Sequence, residues 1–116
     1  LAHGSVLMDN FMGADEFQAV VTDHRAAGLD EVDVAVMDLA EKVADDASSV
    51  AQADIDRLRG LGLSDAEIFD VVATAAVRCF FTKVVDGLGA RPDRAYAELD
   101  PGLREAMVVG RPIADA

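Results

Sequence analysis

Between Asp65 and Leu88 the polar residues Asp70, Thr74, Arg78, Thr82 and Asp86 follow one another at intervals of four, and nearly everything between them is apolar. That spacing draws a single line along an α-helix. A narrow polar line on an apolar cylinder predicts a long, buried central helix, packed on most sides. At 1.5 Å per residue it runs roughly 35 Å, about the width of a small domain. Its longest apolar stretch, Val71 to Val77, is interrupted by Thr74 and stopped by Arg78. That is too short to span a bilayer.

A second pattern sets the joints. Gly13-Ala14-Asp15, Gly28-Leu29-Asp30 and Gly62-Leu63-Ser64 share one grammar. Glycine can end a helix in the left-handed region, and Asp or Ser can cap the next by accepting a backbone N–H. Gln18, Asp33 and Glu67 stand three residues after the caps and can bond back; Ser64 with Glu67 is the best capping box of the three. Leu29 with Val34, and Leu63 with Ile68, are spaced as hydrophobic staples. The intervals differ, so these are joints and not a solenoid repeat.

The expectation is an all-α domain of about six helices: Ala2 to Phe11, Glu16 to Ala26, Glu31 to Asp45, Gln52 to Arg59, Asp65 to Leu88, and a short one from Asp93 to Leu99. Asp100-Pro101 starts a last turn or two. No segment alternates as a half-buried strand does, and no domain boundary is visible within 1–116. With 5% aromatic residues and no Trp, the core must come from Ala, Val, Leu and Ile.

The net charge of −12 argues against nucleic acid and anionic membrane as partners. Binding phosphate needs Lys and Arg to displace counterions. Cys79 is the only cysteine, so no intrachain disulfide forms, which fits a reducing cytoplasm. The chain begins at Leu1, not Met, and residues upstream are expected.

His3 reads from the residues alone as a surface histidine, with general base and metal ligand as the alternatives. His24 is expected near the end of the second helix, where a cation meets the negative end of the dipole. Two isolated histidines without a spaced carboxylate pair predict no metal site. Cys79, mid-helix among apolar neighbours, is expected buried and inert. Arg78 admits two readings, a structural ion pair or an anion anchor. Gly60, Gly62, Gly87 and Gly89 lack the Lys and preceding strand of a phosphate loop, and no cofactor is expected.

Three passages together resemble a known family. They are Leu1-Ala2-His3-Gly4 leading into Ser5-Val6-Leu7; Arg25-Ala26-Ala27-Gly28-Leu29 with Leu39-Ala40-Glu41-Lys42-Val43; and Ala53-Asp54-Ile55-Asp56-Arg57-Leu58 through Ile68, then Phe80 to Asp93. Their order and spacing resemble the peroxidase-related branch of the AhpD-like, or carboxymuconolactone decarboxylase, family. The Gly110-Arg111-Pro112-Ile113 tail fits the same branch.

The resemblance implies an all-helical homo-oligomer whose peroxidatic members carry Cys-x-x-Cys on a helix, with a His a few residues on. His3 matches that His and is the implied catalytic residue. The cysteine pair and an assisting Glu then precede Leu1. Cys79 stands where the branch often has Asn. The implied activity is thiol-dependent reduction of a small hydroperoxide, with a thiol or disulfide reductant as second partner. The alternatives are a cofactor-free decarboxylase or lactone-acting enzyme, and a non-catalytic helical oligomer.

Overall fold

The Ser64 hydroxyl accepts the Glu67 N–H at 3.3 Å, while the Glu67 carboxylate accepts the Ser64 N–H at 2.7 Å. This reciprocal box starts the longest helix of the protein. The computed structural model describes residues 1–115. Among them there are six α-helices and no strand: α1 (Ala2–Asn10), α2 (Ala14–Thr22), α3 (Glu31–Asp46), α4 (Gln52–Gly60), α5 (Asp65–Gly87) and α6 (Pro101–Met107). Two short 3₁₀ turns, Ala47–Ser49 and Arg94–Glu98, join them.

The joints follow the capping grammar unevenly. Asp30 caps α3, accepting the Asp33 N–H at 2.8 Å, and Asp100 caps α6 from the residue before Pro101. Gly28 and Gly62 take φ of +79° and +99°, where a side chain is strained. Gly13 does not: it is itself the N-cap of α2, with φ of −72°, so Asp15 lies inside the first turn. An acid there still meets the positive end of the dipole. The segment expected as a sixth helix is the 3₁₀ turn at Arg94–Glu98, capped by Asp93.

The chain divides into two compact units, Leu1–Gly28 with Val85–Ala116, and Leu29–Val84. In the second, Ala35, Leu39, Leu58 and Ile68 form the core, with Leu63, Val71 and Val72 packed against it. Leu63 and Ile68, spaced as a staple, thus belong to the same packed cluster. Two ion pairs tie α4 to α3, Lys42 with Asp54 at 2.7 Å and Arg57 with Asp38 at 2.6 Å. The Lys42 ammonium, then the Ala51 N–H, hold the Asp54 carboxyl below its ordinary range. Arg59 bridges to Asp65 at 2.7 Å and lowers that carboxyl in the same way.

In the first unit, α1 packs on α2 and α2 on α6. Gly4 is the close point: a Cβ there would lie 2.7 Å from both Phe17 Cζ and Met107 Sδ. The C-terminal segment is held by two arginines. Arg91 donates to the carbonyls of Pro112 and Ile113, and Arg111 donates twice to the Asp86 carbonyl in the last turn of α5. A guanidinium on a terminal carbonyl closes a helix end favourably.

One expectation is corrected. At 23 residues α5 is the longest helix, but Ile68 alone along it is fully buried. Phe69, Val77 and Phe80 are each more than 60% exposed. The core of this unit meets α5 on the side of Ile68, Val71 and Val72. An apolar surface on a helix does not by itself supply a neighbour to cover it.

Candidate functional site

His3 lies in the first turn of α1 and is exposed. The next residue, Gly4, is buried, since only a glycine lets α1 approach Phe17 and Met107 so closely. No side chain caps the start of α1. The Leu1 carbonyl already accepts the Ser5 N–H at 3.0 Å, so helical bonding begins at the first residue. His3 forms no hydrogen bond or ion pair among the described residues, which leaves both ring nitrogens open to a reacting group.

His24 is buried, but not where the sequence reading put it. Helix α2 ends at Thr22, and Asp23 turns out of the helix with φ of −159°. Thr22 Oγ donates to the Gln18 carbonyl, and the Asp23 carboxylate accepts the Arg25 N–H at 3.0 Å. Such local bonds compete with helical ones. His24 therefore lies two residues beyond the end of α2 and not inside its last turn.

Residues 29–84 contain a groove of about 540 Å³ between α3 and α5. Val36 and Ala40 line it from α3, Val71 and Ala75 from α5, all half-buried. Asp70, Thr74 and Arg78 also line it and are exposed, so the polar line of the sequence borders a cavity for half its length. The line divides below Arg78: Thr82 is not in the lining, and Asp86 lends its carbonyl to Arg111.

Among the described residues Arg78 is in no structural ion pair. Among the described residues its one recorded partner is the Phe81 ring, with the guanidinium carbon 5.6 Å from the ring centre. A cation over an aromatic face is held without being neutralised. Cys79 is a free thiol, half-buried and part of the groove lining, where full burial was expected. The sequence reading missed the groove itself. Its signal was Ala40, Ala44 and Ala75, small residues on α3 and α5 that leave space where larger ones would fill it.

A second cavity of about 570 Å³ borders α6 and the C-terminal segment. Arg104 lines it, but its guanidinium is engaged by the Ala97 carbonyl at 2.9 Å. No helix among the described residues is long and apolar enough to cross a membrane. No family model, no curated protein and no solved structure matches the chain.

Proposed function

We propose that this chain is the helical C-terminal part of a thiol-dependent hydroperoxidase of the AhpD-like kind. In this reading His3 relays a proton for a Cys-x-x-Cys pair carried by residues that precede Leu1. The resemblance of the three passages motivates it, and one structural observation carries it. His3 is exposed on α1, and among the described residues neither of its ring nitrogens is engaged. On a helix, a cysteine four residues before a histidine stands on the same face one turn away.

The chemistry balances with these parts. One cysteine thiolate attacks the terminal oxygen of a hydroperoxide; the O–O bond breaks and the sulfur becomes a sulfenic acid. The alcohol leaves with a proton relayed through the imidazole. The second thiol then displaces water from the sulfenic acid to give a disulfide, which an external dithiol reduces by exchange. A neutral imidazole raises the thiolate fraction at the start of each cycle. The reading includes a homo-oligomer, whose interface uses the exposed apolar stripe of α5, and a reducing compartment such as the cytoplasm.

The test uses the protein together with the residues that precede Leu1. Addition of one equivalent of hydroperoxide should remove two free thiols and leave a disulfide between them, read by mass spectrometry, while Cys79 stays reduced. A protein without a cysteine pair ahead of His3, or with a pair that peroxide does not oxidise, contradicts the proposal. Turnover of a lactone acid by such a protein would support the decarboxylase alternative instead.

A further inference from the structure

The groove between α3 and α5 has the size of a small-molecule site, about 540 Å³. Its walls are aliphatic, from Val36, Ala40, Val71 and Ala75, and it is bordered by one cation, Arg78. The other arginines of this unit are committed: Arg57 to Asp38, and Arg59 to Asp56 and Asp65. Arg78 has no carboxylate partner among the described residues, in a chain with 22 acidic and 10 basic residues. Its contact with Phe81 sets the guanidinium beside the groove without using its hydrogen-bond donors.

We propose that this groove binds an aliphatic monocarboxylate, with its chain against Ala40, Val71 and Ala75 and its carboxylate on the Arg78 guanidinium. The planar guanidinium offers two parallel N–H donors, the geometry that a carboxylate accepts. Asp70 lines the same groove eight residues earlier on α5. At 1.5 Å per residue that is about 12 Å away, roughly the span of an extended chain of eight to ten carbons. An acid group seated near Asp70 is repelled, so the ligand takes one orientation. Thr74, midway, offers a hydroxyl.

The site does not depend on the peroxidase reading, because neither His3 nor an upstream cysteine takes part in it. It also differs from the face proposed for self-association. The exposed residues Phe69, Val77, Phe80 and Val84 centre on the side of α5 roughly opposite Ala75 and Arg78, at about 100° per residue. A second copy docked on them leaves the groove open.

The experiment titrates the 116-residue chain with decanoate below its micellar concentration, in about 0.15 M salt to screen the net charge. Binding is read by calorimetry and by protection of the Cys79 thiol from an alkylating reagent. Saturable binding that slows Cys79 alkylation is expected. Arg78→Met should weaken decanoate by about tenfold or more, the scale of a lost charge-assisted hydrogen bond, and leave 1-decanol unchanged. Arg78 is exposed, so this variant keeps its helical circular dichroism. Ala75→Phe should abolish both ligands; if it does not fold, the arginine variant still decides. Absence of saturable binding, or equal decanoate affinity in Arg78→Met, overturns the proposal. So does protection of Cys79 by rising protein concentration alone, which identifies a second copy as the occupant.

Discussion

Glu67 shows how one side chain sets a local start and a pH dependence together. Its carboxylate accepts from both the N–H and the hydroxyl of Ser64, and those bonds, the backbone one first, hold its pKa below the ordinary 4.5. A carboxyl depressed in the folded state stabilises it fully above the unfolded value, and that stabilisation is lost as pH falls through the folded value. Glu67→Gln should therefore lower the urea midpoint at pH 7. The gap to wild type should narrow as pH falls through the folded value, below which both side chains are neutral. Comparison with wild type is needed because acid also relieves repulsion among the chain's excess carboxylates. Ser64→Ala, which removes the cap itself, should cost about 1 kcal/mol at pH 7. A gap that stays the same over the whole acid titration for Glu67→Gln would show that the charge is not what matters there. The box was legible in the sequence because a capping residue and its partner lie three apart. The end of α2 at Thr22 was not, since it coincides with Thr22 and Asp23 bonding locally.

At the scale of elements, α5 separates what sequence periodicity conveys from what it leaves open. The four-residue spacing from Asp70 to Asp86 gave the helix and nearly its length. It also placed Asp70, Thr74 and Arg78 on one face, which the groove confirms. It did not tell which of the remaining faces a neighbour covers, because that depends on where α3 and α4 pass. The uncovered stripe holds Phe69, Val77, Phe80 and Val84. Exposed aromatic area of this kind marks an interaction surface more often than a solvated one. Between Ile68 and Val85 the helix carries one acidic and two basic residues, so this stretch escapes the acidity of the rest of the chain. Two copies can meet here without opposing like charge. Phe80→Glu, which places a carboxylate in the stripe, should shift the protein to monomer in light scattering and leave the helical circular dichroism intact. An unchanged molar mass, or a wild type that is already monomeric at high concentration, would remove α5 as the interface.

For the whole molecule, the capping residues, the absence of strand alternation and a core that is aliphatic except for Phe17 go together with an all-helical fold. The chemistry is a separate matter, because a helical fold hosts many functions and function resides in the site. The proposal gives the catalytic role to His3, which is exposed on the first turn of α1 beside the buried Gly4. The most direct test is hydroperoxide consumption by wild type and His3→Ala, each with and without the residues that precede Leu1. The account predicts turnover only in the two longer proteins, with His3→Ala slowing it by roughly 100-fold, the scale of a lost acid/base group. Both proteins should keep the same helical circular dichroism. Equal turnover by the two longer proteins, or robust turnover by the 116-residue chain, would contradict it.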